Sequence, residues 1–313
     1  MIIVGTDMRA IAYSEYGDTN VLSLTELPTP KVAPGSVLIK VERAAVNPVD
    51  WKLMAGGLDP LLDVVFPVVP GWDVAGTIEA TGPDVPEFKP GDRVAAYARK
   101  DFVQGGTYAE YVSIRAVDVA HVPDNVDSDS AAGLPLAGLT ALRSLEALKL
   151  SSEDTLLIHA ASGGVGHLAA QLAVEMGATV IGTASEKNHD ALRDIGVTPV
   201  TYGEGLQERV REVAPEGVTA VADFVGGVLA DTLALLGEGG RHVSVTDSEV
   251  LEHAGQLIWV RPDGARLESL LQKISDGKLK VDIDTVYPLA EAAAAMDHNK
   301  NGARGKIIID VSR

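Results

Sequence analysis

One run of residues in this chain can hold a charged ligand on its backbone alone. The apolar stretch Thr155 to His159 passes directly into Ala160, Ala161, Ser162, Gly163, Gly164, Val165 and Gly166, where a helical pattern opens. Glycine at position 163 lets the backbone approach a pyrophosphate, and Gly166 lets a helix pack closely on a strand. The unpaired N–H groups of a helix start favour negative charge. Ala161 stands in the place of the first glycine of G-x-G-x-x-G. Strand, loop, helix and a second strand ending at Thr183 follow in the required order. The run therefore reads as a dinucleotide-binding loop with contacts at Ser162, Gly163, Gly164 and Val165, against the alternative of a structural glycine turn.

The choice of dinucleotide is made at the end of the second strand, where an acidic residue would take the ribose hydroxyls of NAD. Here that position is Ala184, followed by Ser185, Glu186 and Lys187. Ser185 and Lys187 offer a hydroxyl and a cation where a 2′-phosphate would sit, so NADPH is the expected cofactor. Glu186 is the residue that argues for NAD, and the other reading of Lys187 is a solvated surface lysine.

These residues need elements to position them. From Ala10 to about Pro123 short β-rich runs are cut by Gly and Pro: Ser36 to Val46, Gly76 to Ala80 and Arg93 to Tyr97 alternate as strands, with tight turns at Pro34-Gly35 and Lys89 to Asp92. After Asp124 the texture changes. Ser128 to Leu150 reads helical apart from breaks at Pro135 and Gly138. Apolar strands then alternate with amphipathic helices as far as His242 to Val245, which indicates a parallel sheet covered on both faces. A helix over Arg266 to Ser275, an alanine-rich helix after Pro288 and a strand over Lys306 to Val311 complete the chain, the last able to return to the amino-terminal β region. The fold class is α/β: a β-rich domain of residues 1–124 and 263–313, and a doubly wound parallel-sheet domain of residues 125–262.

Composition narrows the function. At 313 residues with a net charge of −18, the chain has no electrostatic basis for gripping nucleic acid or an anionic membrane. It has no cysteine, which removes disulfides, thiol nucleophiles and thiolate zinc sites. No run is long enough for a membrane helix and Met1 to Arg9 has no signal-type core, so a soluble, cytoplasmic protein is expected. The seven histidines, His121, His159, His167, His189, His242, His253 and His298, include no His-x-x-x-His pair and read as structural or surface residues.

The chain resembles the medium-chain dehydrogenase/reductase superfamily over nearly its whole length, most closely the zinc-independent quinone oxidoreductase (zeta-crystallin-like) branch. The resemblance rests on Asn47-Pro48-Val49-Asp50, Pro70 to Gly76, Gly91-Asp92-Arg93-Val94, Gly106 to Tyr111, Leu134 to Ala141, the glycine loop and Arg261-Pro262-Asp263-Gly264. It implies that the β-rich domain is GroES-like and catalytic, that the parallel-sheet domain is of Rossmann type, and that the site lies in the cleft between them. The zinc alcohol dehydrogenases carry Gly-His-Glu where this chain has Gly71-Trp72-Asp73, so no metal is expected. The substrate must then accept hydride readily, as a quinone or an α,β-unsaturated carbonyl does.

The resemblance further implies that Asn47 faces the nicotinamide and that Lys52, where relatives carry a tyrosine, donates to the substrate oxygen. Asn47 as a turn residue before Pro48 and Lys52 as an exposed loop lysine are the alternatives. Asp50 fixes the loop or holds Lys52. Thr140 is implied near the nicotinamide, Tyr202 near the adenosine phosphate, Val225 and Val245 after successive strands, and Arg304 at the 2′-phosphate. Tyr202 as a strand cap, and Val225 and Val245 as core residues, stay open. The leading expectation is a homodimeric NADPH-dependent reductase of a small-molecule quinone or enone, paired through Leu257 to Val260 as the sheet edge. The rivals are an enoyl-thioester reductase, which would use Lys52, Arg99 and Lys100 for a carrier phosphate, and a nucleotide-binding protein without turnover.

Overall fold

The structure, a computed structural model, describes residues 7–313; the expectation for the first nine residues thus falls largely outside it. The chain forms two compact units. The first holds the chain up to Leu136 together with Arg261–Gly277 and Val281–Arg313, and the second holds Ala137–Val260 and Lys278–Lys280.

Along the first segment run β1 (Asp7–Ala12), β2 (Ser23–Pro28), β3 (Ser36–Val46), the short helix α1 (Pro48–Met54), β4 (Asp63–Val69), β5 (Asp73–Thr81), β6 (Arg93–Tyr97), β7 (Phe102–Gly105), β8 (Tyr111–Arg115) and β9 (Val119–His121). Then come α2 (Ser128–Gly133) and α3 (Pro135–Ala147). The middle of the chain alternates β10 (Thr155–His159), α4 (Gly164–Glu175), β11 (Thr179–Ala184), α5 (His189–Asp194), β12 (Thr198–Thr201), α6 (Leu206–Val213), β13 (Val218–Asp223), α7 (Leu229–Leu235), β14 (Leu236–Ser244) and β15 (Gln256–Leu257). The return consists of α8 (Gly264–Ser275), β16 (Ile283–Pro288), α9 (Ala292–Lys300) and β17 (Lys306–Asp310).

In the first unit a seven-stranded sheet runs β16-β17-β3-β5-β6-β9, with β8 also on β3. The closing strand β17 lies antiparallel to β3, Ile307 opposite Val46, and parallel to β16. Two smaller ribbons, β1 with β2 and β4 with β7, complete it. Gly91 reverses the chain between β5 and β6 at φ +94°, a conformation that a side chain would strain. In the second unit six parallel strands run β12-β11-β10-β13-β14-β15. Because helices cover both faces of such a sheet, β10 is apolar throughout its centre, and Leu157 packs at 0% exposure with Ile181, Val200, Leu206, Val210 and Val221.

Three sequence expectations shift. The units part after Leu136 instead of between residues 124 and 125, because α2 packs into the first unit. Ala131 and Ala132 are fully buried, and a Cβ on Gly133 would come within 2.9 Å of Val281. Pro135 opens α3, where its missing N–H costs nothing, and Gly138 is carried within that helix without breaking it. The edge strand expected at Leu257 to Val260 is only Gln256–Leu257, since its partner β14 ends at Ser244.

Truncating Leu157→Ala should leave a cavity at the centre of the second unit and cost roughly 2–5 kcal/mol. Denaturant unfolding checks this; a cost below 1 kcal/mol, roughly the level of an exposed site, would contradict the packing described.

Candidate functional site

The glycine loop of the second unit is held from beneath by β11. Ala160 adopts φ +59°, its N–H donates to Thr183 Oγ1 at 3.0 Å, and Ala161 N–H donates to the Thr183 carbonyl at 2.9 Å. Gly166 touches this bend so closely that a Cβ there would lie 2.2 Å from the Ala160 oxygen. Gly163 caps α4 with no side chain answering the first-turn N–H groups, and a Cβ on it would meet only the Ala160 oxygen, at 3.3 Å. Free donors at the start of a twelve-residue helix, with no side chain in the way, fit a pyrophosphate. Ser162 is joined to the end of β11 through Asn188, whose Nδ2 donates to Ser162 Oγ at 3.1 Å and Ser185 Oγ at 3.3 Å. Gly164 and Val165 form the first turn.

Ala184 closes β11 buried, and Glu186 and Lys187 are both exposed on the single turn that follows. Tyr202 and Val225 are exposed at 60% and 56%, so neither is a core residue. Val245 is half-buried, its N–H donating to the Asp223 carbonyl, and Thr140 is buried in α3. Asp223 went unnoticed in the sequence. Buried at the end of β13, it accepts from the N–H groups of Val225 and Gly226 and from Ser244 Oγ, and so shapes the loop that follows. Arg304 belongs to the first unit and is already engaged: Asp282 takes its guanidinium at 2.9 and 3.1 Å, which leaves the implied phosphate role without a free fork.

The first unit holds a buried polar network that the sequence did not announce. Asn47 Nδ2 donates to Asp73 Oδ2 at 2.8 Å, and Lys306 Nζ donates to Asn47 Oδ1 and lies 3.6 Å from Asp73 Oδ2. A carboxylate only accepts and an ammonium only donates, so this pair of partners fixes which way the amide points. Asn47 is therefore held from both ends, with its remaining N–H toward the Ala45 carbonyl, and caps α1; it is not a free donor to a substrate. Asp50 Oδ2 accepts the Asn47 N–H at 2.9 Å and the Tyr108 hydroxyl at 3.0 Å. Asp50 fixes the loop, the first of its two expected roles. It does not hold Lys52, whose ammonium lies 5.5 Å from the centre of the Trp51 ring.

Burial sets the titration of this network. It pushes the Asp50 carboxyl up to about 7 against the opposing hydrogen bonds from Asn47 and Tyr108. It also raises Asp73 and lowers Lys306, while the attraction between those two works against both shifts. Asp50 Oδ1 is buried without a hydrogen-bond partner and belongs to the wall of a recess shared with Tyr13, Trp72, Lys100 and Phe102. The Trp72 indole is buried edge-on against Tyr97 at 6.0 Å. Among the described residues no group of three or more His, Asp or Glu side chains is placed to hold a metal.

Comparison with known proteins agrees with this architecture. Residues 33–124 match the alcohol dehydrogenase GroES-like domain and residues 195–309 the zinc-binding dehydrogenase domain. The chain belongs to the medium-chain dehydrogenase/reductase superfamily, a group of nucleotide-binding oxidoreductases, among the quinone oxidoreductase homologues. It is 31% identical to the chloroplast envelope quinone oxidoreductase homolog of Arabidopsis thaliana, over 98% of this chain and 100% of that one. The NADPH-dependent alkenal/one oxidoreductase of the same plant is 33% identical, over 97% of this chain and 79% of its own. The solved quinone oxidoreductase of Coxiella burnetii superposes with a TM-score of 0.88 at 33% identity, covering 98% of this chain and 100% of its own.

An aspartate whose pKa rises from 3.8 in the free group to about 7 in the fold binds more protons folded than unfolded. Its contribution is complete below pH 3.8 and is lost as pH rises through about 7. Wild-type stability should therefore fall across that window, and Asp50→Asn should fall less. Parallel curves from urea unfolding at several pH values would show that Asp50 is ionised throughout.

Proposed function

We propose that the protein is an NADPH-dependent reductase of quinones or α,β-unsaturated carbonyls. The observation that carries the reading is its similarity, over 97% or more of this chain, to relatives named for those two acceptor classes, joined to a glycine loop whose free helix N–H groups fit a dinucleotide. NADPH, when bound, supplies the hydride. The N–H groups of Gly164 and Val165 at the start of α4, with Ser162 beside them, bind its pyrophosphate. Ser185 and Lys187 take the 2′-phosphate, since Ala184 leaves no carboxylate for a ribose hydroxyl. Thr140, Tyr202, Val225 and Val245 are further contacts on the same unit. Asn47, pinned between Asp73 and Lys306, keeps α1 in place, and its role is positioning.

Among the described residues no helix is long and apolar enough to cross a membrane. The exposed end of the parallel sheet carries Leu251, Leu257 and Trp259, all substantially open to solvent. A second copy pairing along β15 would cover them, so a homodimer is part of the reading. Sedimentation at micromolar concentration should give twice the single-chain mass, and a single-chain mass would refute the pairing.

Oxidation of NADPH followed with a panel of quinones, enones and enoyl thioesters tests the activity; turnover confined to enoyl thioesters would displace the reading. NADPH should bind more tightly than NADH. Lys187→Ala should reduce that preference by about 1–2 kcal/mol, the scale of one charge-assisted hydrogen bond. Equal dissociation constants for the two cofactors in the wild type would overturn the assignment.

A further inference from the structure

A reductase of quinones and enones has to answer the negative charge that forms on the acceptor oxygen. In the first unit neither of the two side chains nearest to that task by sequence offers a donor to the recess around Asp50: Asn47 is occupied and Lys52 is not part of its lining. Asn47 spends its amide on Asp73 and Lys306, and Lys52 lies over Trp51. Another cation faces the recess that contains Asp50 and Trp72. Lys100, between β6 and β7, is half-buried there and donates to the Gly105 carbonyl at 2.8 Å. That is one of the three hydrogens of an ammonium, and among the described residues no carboxylate pairs with it. Burial without a counter-charge pushes its pKa below the usual lysine value. An ammonium in this state gains from any oxygen that brings electron density to it.

The recess itself is tight, with space for about one water-sized group, which is also the size of a carbonyl oxygen. Its rim is apolar. Phe102 is 45% exposed on β7, and Tyr13 in the wall packs edge-on against the half-open Phe66. The ribbon of β4 and β7 sets Val64 opposite Val103 at the same edge. A charged recess sized for an oxygen, with aromatic and aliphatic side chains at its mouth, fits a flat apolar carbonyl compound.

We propose that Lys100 is the residue that receives the acceptor's carbonyl oxygen, a specificity-determining contact in the reductase reading on which this inference rests. When hydride reaches the β-carbon of an enone, the electron pair of the carbon–carbon double bond moves to leave an enolate, whose charge rests on the oxygen. Lys100 donates a hydrogen bond to that oxygen and keeps its proton. A proton from solvent then adds to the α-carbon to give the saturated ketone. With a quinone the same contact serves the developing phenolate oxygen.

The test separates binding from turnover. Duroquinone binding is measured by quenching of tryptophan emission, Trp72 lying in the same recess, in wild type, Lys100→Met and Lys100→Arg, with NADPH affinity as a control. Lys100→Met should weaken duroquinone on the order of tenfold and lower kcat/KM for methyl vinyl ketone similarly, with NADPH affinity unchanged. Lys100→Arg should restore part of both. A purely structural role would not show this charge-dependent rescue. Lys100→Gln, which keeps a donor for Gly105 without the charge, serves if the methionine variant fails to fold and should behave like it. Equal duroquinone affinity in wild type and the uncharged variant, or no duroquinone binding to the wild type, overturns the assignment of Lys100. Lys100-dependent binding with no NADPH oxidation by any acceptor would leave Lys100 in place and overturn the reductase reading instead.

Discussion

A lysine removed from water is costly to keep charged unless negative charge answers it, and in the first unit the answer given to Lys306 joins the two ends of the chain. Lys306 is 4% exposed at the head of β17, and its ammonium reaches Asn47, the Val46 carbonyl and the vicinity of Asp73. Asp73, fully buried, spends its other oxygen on the Leu136 N–H at the start of α3. Segments distant in sequence therefore meet around a single carboxylate. Desolvation makes such a network weak as a source of stability, but removing one member strands the others at a cost of about 3–5 kcal/mol. It sits where register is set: Ile307 pairs with Val46, next to the contact of Lys306 with Asn47, and that pairing joins β17 and β16 to the rest of the sheet.

That network was not legible in the sequence, and the reason is physical. Strands β3, β6 and β10 begin and end where alternation and apolar runs place them, because burial on one or both faces is a local pattern. The glycine loop is equally local, needing only a strand, four small residues and a helix start. Lys306 instead reads as the polar edge of an apolar strand, and Asp73 only as part of the Gly71-Trp72-Asp73 run that lacks zinc ligands. Their meaning exists only once β17 lies against β3. The hairpin of β1 and β2 and the ribbon of β4 and β7 were missed for a related reason: β2 and β4 are largely exposed, so their residues carry no strong two-residue period. Lys100 gave a weak signal as one of two adjacent cations, but only its burial singles it out.

Net charge and local charge pull in different directions here. The chain carries −18 overall, yet among the described residues Lys100 in the recess has no carboxylate paired with it, whereas Arg9, Arg43, Arg193 and Arg304 all do. Acidic residues dispersed over a surface act weakly at a distance in water and salt. A buried or half-buried cation acts strongly over one contact. An acidic protein can thus receive an anionic cofactor, provided the acids stay clear of the few places where phosphate or enolate oxygen must rest.

The glycine loop shows the same economy in its one departure from the usual pattern. Ala161 occupies the position of the first glycine, and its methyl group is fully buried beneath the loop. Space for it comes from β11, where a Cβ on Gly182 would lie 2.6 Å from the Ala161 Cβ, closer than two carbons can stand. The glycine lost from the loop is therefore recovered one strand away. The left-handed residue here is Ala160, held in that conformation by the Thr183 hydroxyl and by the approach of Gly166. The quantity preserved is the distance between α4 and the strand beneath it, because that distance decides whether the helix N–H groups stand free to meet a pyrophosphate. Gly182 is required on a second count too, since a Cβ there would also lie 2.9 Å from Val197 Cγ1.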